Sequence, residues 1–143
     1  MPLYALDTDT LSLLRRGHPA VTRRVGSVPP AEFAVTVITL DEQISGWYTY
    51  LRKATRPVEI ERAYGELAAT VKFYGRFNIL NFTQPAIMRF DAMLKQKLQI
   101  RANDLRIAAI ALEAGAIVVT ANTRDFGRVP GLSIEDRSVP SGP

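Results

Sequence analysis

Four short apolar runs, Leu3–Leu6, Phe33–Ile38, Phe77–Phe82 and Ala116–Thr120, are separated by long stretches whose apolar residues recur at helical spacing. This alternation constrains the fold more than any other feature of the chain. Strands that each return through a helix pair in parallel with right-handed crossovers, and such a sheet is covered on both faces. The expected fold class is therefore α/β, a three-layer α/β/α domain around a parallel sheet of four to five strands. Leu132 to Ile134 is the candidate fifth strand. The expected organisation is one domain over residues 1–137, with a loose tail over 138–143.

The helices carry their own punctuation. Thr8, Asp9 and Thr10 offer capping oxygens before Leu11, and Gly17 stops that segment. His18 to Val28 reads as a second short helix, closed by Pro29-Pro30, with His18 itself in the loop. Thr39 and Glu42 have capping-box spacing ahead of Leu40, Ile44, Trp47, Tyr48 and Leu51. Ile60, Ala63, Leu67, Val71 and Tyr74 form the next stripe, and Ala86, Phe90, Met93, Leu94 and Leu98 another. Asn103 is the expected cap of a buried helix from Asp104 to Glu113.

Composition excludes several kinds of chemistry. The 143 residues contain no cysteine and one histidine. A disulfide framework, a thiolate zinc site and any mechanism needing two imidazoles are thereby ruled out. No apolar run reaches the ~18 residues of a membrane span. The N-terminal Met-Pro-Leu-Tyr-Ala-Leu-Asp has neither the basic nor the apolar part of a signal peptide. Cytoplasmic residence and no membrane partner are the expectations. The formal net charge is +4, and arginine supplies most of the 18 basic side chains. Its planar fork suits phosphate, so a polyanionic partner is a reasonable expectation.

In an open parallel sheet, ligands collect beyond the carboxyl ends of the strands. Asp7 ends the first strand, and Glu42 follows the second in the first turn of its helix. Asp104 opens the buried helix, and Asp125 follows the fourth strand. Thr8, Thr120 and Asn122 fall in the same zone. Singly, each acid also suits a helix cap or a turn. Jointly, four acids at one sheet edge repel one another unless a cation neutralises them. With oxygen donors alone, Mg²⁺ or Mn²⁺ is the matching ion, and phosphodiester hydrolysis the matching reaction.

Leu6-Asp7-Thr8-Asp9, Val37-Ile38-Thr39-Leu40-Asp41-Glu42, Asn103-Asp104-Leu105-Arg106-Ile107-Ala108-Ala109 and Val119-Thr120-Ala121-Asn122-Thr123-Arg124-Asp125-Phe126 occur in this order along the chain. In these segments the chain resembles the PIN-domain ribonucleases, and among them the VapC toxins of toxin–antitoxin pairs. The resemblance implies a Mg²⁺- or Mn²⁺-dependent endoribonuclease, inhibited by a cognate antitoxin and forming a homodimer. Operator DNA would be reached only through the antitoxin. It implies that Asp7 and Asp104 are the principal metal ligands and that Glu42 completes the acidic pocket. Asp125 would bind a second ion or orient the attacking water, with Thr120 and Asn122 in support. Three positions depart from the family's common pattern: Asp9, where asparagine is frequent; Arg101, in a stretch often marked by glycine; and Arg137, in place of an aromatic.

Arg15, Arg16, Arg124 and Arg128 are the candidate RNA phosphate contacts around the pocket mouth. Trp47, Tyr48 and Tyr50 read as core, with a dimer seam or antitoxin groove as the alternative. Two rival functions remain. Asp7-Thr8-Asp9-Thr10 also looks like an aspartyl-phosphate phosphatase motif, with Asp7 as nucleophile and Asp9 as acid–base. The lysines at 53, 72, 95 and 97 are poorly placed for that chemistry. A degenerate PIN-like module that grips RNA or protein without cutting is the second rival.

Overall fold

The computed structural model describes residues 2–138. Strands β1 (Tyr4–Leu6), β2 (Phe33–Thr36), β3 (Asn78–Leu80), β4 (Ile117–Val119) and β5 (Ile134–Glu135) form one sheet in the order β3-β2-β1-β4-β5. Every neighbouring pair is parallel. Leu6 sits level with Val35 on one side and Val119 on the other. The chain crosses from β1 outward in both directions, so the carboxyl ends of β1 and β4 flank the switch point where a ligand crevice forms.

Strand periodicity sorts the core into two layers. Ala5 and Val118 face a cluster with Phe90 and Met93 of α5 (Gln84–Leu94), Leu105, Ile107 and Ile110 of α6 (Ala102–Ala114), and Phe126 of α7 (Thr123–Phe126). Leu6, Val35 and Val119 face the other cluster, with Leu11 of α1 (Thr8–Arg15), Val25 of α2 (Pro19–Gly26) and Tyr74 of α4 (Pro57–Tyr74). Helix α3 (Val37–Lys53) contributes Ile38 to the first layer and packs against α4 as a helical hairpin. The three-layer α/β/α architecture expected from the alternation is present. Among the described residues, no helix is long and apolar enough to cross a membrane.

Several boundaries differ from the sequence expectation, each for a local reason. Asp7, not Thr8, Asp9 or Thr10, caps α1, by accepting a hydrogen bond from the Thr10 amide at 2.8 Å. His18 is a cap rather than a loop residue, its Nδ1 accepting from the Val21 amide at 3.3 Å. The Thr39–Glu42 capping box does not form. Thr36 caps α3 instead, so the β-branched pair Val37-Ile38 is helical and Glu42 lies in the second turn. Helix α6 starts at Ala102, with Arg101 rather than Asn103 at the capping position; the Asn103 side chain accepts from Arg106. Gly115, at φ 68°, ends α6 in the left-handed conformation that glycine adopts without penalty.

The stripe on α4 is narrower than its apolar residues suggested. Only Ala63, Thr70 and Tyr74 are buried, while Val71 is 66% exposed. On α5, Leu94 likewise faces outward. The segment from Asn122 to Phe126, read as a turn, closes into the short helix α7. Of the expected tail, Ser138 is held by two hydrogen bonds to Asp136, and 139–143 lie outside the described residues.

Candidate active site

Asp7 is the point where β1 becomes α1. Its amide still donates to the Val119 carbonyl at 3.1 Å, so the residue remains pinned to β4 while its side chain caps the helix. The residue is 3% exposed. Burial pushes its carboxyl above the ordinary carboxylate range, and the charge of Asp9 pushes the same way. Hydrogen bonds from the Thr120 hydroxyl and from Thr10 offset part of this rise.

Glu42 reaches the same edge from α3. Its Oε1 accepts from the Thr8 hydroxyl at 2.9 Å, and that hydroxyl lies 3.1 Å from the hydroxyl of Thr39. The other oxygen, Oε2, accepts from Arg101 Nη1 at 2.9 Å. The same guanidinium donates from Nη2 to Asp104 Oδ1 at 3.0 Å and from Nε to Oδ2 at 3.5 Å. Arg101 therefore spans Glu42 and Asp104 with a fork on the latter. The two acid side chains are 17% and 15% exposed, and that of Arg101 is 58% exposed.

Asp125 stands on α7. Its Oδ2 accepts from the Asn122 side-chain amide at 3.0 Å, and its Oδ1 pairs with Arg128 at 3.4 Å. Asn122 caps α7, and its own amide donates to the Thr120 hydroxyl at 2.8 Å. Thr120 thus links the Asp7 carboxylate to the Asn122–Asp125 pair. Asp9 is exposed on the first turn of α1.

The arginines divide into two groups. Arg15 turns away from the acids to Glu66 and Thr70 of α4, and Arg128 is engaged by Asp125 and the Gln99 carbonyl. Arg16 and Arg124 are exposed. Arg15 and Arg16 line a cleft of about 470 Å³ with Gln43, Trp47 and Arg62. A second hollow, lined by Glu42, Gln43, Gly46, Trp47 and Tyr50, shares Gln43 and Trp47 with that cleft. The aromatic face of α3 is not core. Trp47 and Tyr50 are half-buried, in edge contact at 5.7 Å, with Arg62 of α4 over both rings, and Tyr48 is exposed.

The donors at this edge are carboxylates and hydroxyls, a set whose chemistry fits a hard divalent cation. Their arrangement qualifies that fit. Among the described residues, no three acids are gathered as a metal-holding group. The reason is visible in the contacts: Glu42 and Asp104 are drawn to Arg101, Asp7 to the α1 cap and Thr120, and Asp125 to Asn122 and Arg128. The spot between Glu42 and Asp104 already holds positive charge. Sequence reading marked Arg101 as unusual but did not find this role, because its partner Glu42 is remote along the chain.

A parallel α/β sheet of this order, with acids from β1, α3, α6 and α7 at one edge, defines a class of nuclease-like domains. The PIN domain family model matches residues 4–132, and the chain belongs to that family. Within it, the similarity is to VapC proteins. A tRNA(fMet)-specific endonuclease VapC of Salmonella typhimurium is 32% identical over 137 residues, 93% of this chain and 96% of that protein. Ribonuclease VapC1 of Haemophilus influenzae is 25% identical over 94% of this chain and 97% of its own length. Among solved structures, the DNA-bound VapBC of Salmonella typhimurium superposes with a TM-score of 0.76 at 27% identity, over 95% of this chain and 98% of the other. VapBC-1 of nontypeable Haemophilus influenzae has the same fold, with a TM-score of 0.77 at 23% identity over 96% and 99%.

Proposed function

We propose that this protein is a VapC-type endoribonuclease that hydrolyses RNA phosphodiesters with Mg²⁺ or Mn²⁺, acts as the toxin of a toxin–antitoxin pair and is neutralised by a cognate antitoxin. The observation that carries this reading is buried Asp7 at the switch point of the sheet, tied through the Thr120 hydroxyl to Asn122 and Asp125. Family membership and relatives named as RNA-cleaving enzymes support it.

A divalent ion at this edge supplies positive charge to a phosphate and makes a water molecule more acidic. Asp7 and Asp104 would hold it, and Glu42, oriented by the Thr8 hydroxyl, would complete the acidic wall. Asp125, fixed by Asn122, would orient a water and take its proton. Thr120 couples the Asp7 and Asp125 branches. Arg16 and Arg124 are the candidates for phosphate contact. Arg15 and Arg128 serve first as ion-pair partners of Glu66 and Asp125.

The relative from Salmonella typhimurium makes transfer RNA the first substrate to test. The VapBC structures support an antitoxin as partner. A homodimer, cytoplasmic residence and a single nuclease domain over 1–137 belong to the same proposal. Incubating transfer RNA and total RNA with Mn²⁺, with sequencing of the fragment ends, tests it. Wild type should cut at defined positions, and Asp104→Ala should lose at least a hundredfold in rate. Equal cutting by both proteins would place the activity elsewhere.

One observation favours the second reading, an RNA-gripping module without cleavage: Arg101 already neutralises two of the acids. RNA binding with no cleavage at any Mn²⁺ concentration would establish it.

A further inference from the structure

Arg101 stands at the capping position of α6, where its main-chain carbonyl accepts from the Leu105 amide at 3.0 Å and its side chain takes no part in the cap. Its three contacts go instead to Glu42 and Asp104, at 2.9, 3.0 and 3.5 Å. The two-point contact on Asp104 occupies both oxygens of that carboxylate, as a forked guanidinium does. The acids are largely shielded, and the guanidinium closes over them from the solvent side.

Resting on the metal-dependent reading above, we propose that Arg101 is a built-in competitor for the divalent cation. The ion and the guanidinium want the same oxygens, and their positive charges repel at this distance. Metal entry is therefore an exchange: the arginine must let go of Asp104 and Glu42 before those oxygens can turn to an ion. Nothing covalent changes in this step; two ion pairs break and ligand bonds replace them. With its side chain more than half exposed, Arg101 can release into solvent without disturbing the core.

The exchange makes metal affinity the measurable quantity. Calorimetric titration of the full chain with MnCl₂, for wild type, Arg101→Gln, Arg101→Lys and Asp104→Asn, tests it without reference to activity. Arg101→Gln should bind Mn²⁺ about threefold to tenfold more tightly, the factor that two partly exposed ion pairs are worth. Arg101→Lys keeps the charge but loses the fork, and should move the same way by less. The rise in thermal midpoint on adding Mn²⁺ should be larger for Arg101→Gln than for wild type, because its bare acids have lost their resident counter-charge. Equal or weaker binding in both Arg101 variants, with wild-type binding still dependent on Asp104, overturns the competitor role and leaves the nuclease reading standing. Absence of an Asp104-dependent signal in wild type and in both Arg101 variants overturns the two together.

Discussion

Helix α6 and the α3–α4 hairpin use helical residues in opposite ways. In α6, Leu105, Ile107, Ala108, Ala109, Ile110 and Ala111 are all buried, and the small alanines let the helix lie close against its neighbours. Helix α4 is longer, yet it buries only Ala63, Thr70 and Tyr74 and leaves Val58, Tyr64 and Val71 more than half exposed. The short helix is embedded and carries Asp104 on its first turn. The long one forms a wall whose apolar side chains meet solvent. Rigid placement of an acid calls for the first arrangement; a surface open to another molecule suits the second.

The contrast can be broken by substitution. Ile107→Ala, at a side chain with no exposure, should cost about 2–5 kcal/mol through lost transfer energy and a residual cavity, read by chemical denaturation. A cost under about 1 kcal/mol would mean that α6 does not anchor its core layer.

Asp7 belongs to the embedded side of the comparison and adds a charge to it. Its raised pKa means that the folded state holds a proton more tightly than the unfolded chain does. Stability therefore falls as pH rises from the ordinary aspartate range through the raised value, and the cost of the buried charge is fully present above it. Asp7→Asn keeps a capping oxygen and should raise the thermal midpoint at pH 7 in the absence of metal. The gap should close in acid, where wild-type Asp7 is protonated. A lower midpoint for Asp7→Asn at pH 7 would show that the carboxylate's hydrogen bonds outweigh its burial.

The smallest effect is expected on the hairpin. Val71→Ser should change stability by no more than about 0.5 kcal/mol. If this face contacts a partner, the same change should weaken association, read by light scattering with and without the proposed antitoxin. A large loss of stability in the isolated monomer would move α4 into the embedded class.

Much of the fold was readable because parallel strands are short apolar runs and their crossovers are helices. The misplacements share a cause: they lie where one side-chain oxygen decides between two local structures. Val37-Ile38 has strand composition, but the Thr36 hydroxyl turns it into the first turn of α3. Likewise, Asn122 converts a turn-like segment into α7. The acids were legible in the sequence as candidates because each follows a strand or opens a helix near the carboxyl ends of the sheet. Their pairing was not, since Arg101 meets Glu42 only after β2, α3 and α6 have been assembled. The α4 stripe misled for another reason: periodicity shows which residues share a face but not whether anything covers it.

The central strand has a consequence for how the molecule comes into being. Tyr4 pairs with Ile117, so β1 waits for β4, far along the chain, before its second flank is covered. Such distant pairing slows folding and leaves β1 half-matched while the helices between β2 and β4 are being synthesised. Thr120, which steadies Asp7, emerges later still. A nascent chain thus cannot complete this edge until β4 and the Thr120–Asp125 segment have followed β1 out, so the carboxylate edge is among the last parts of the sheet to close.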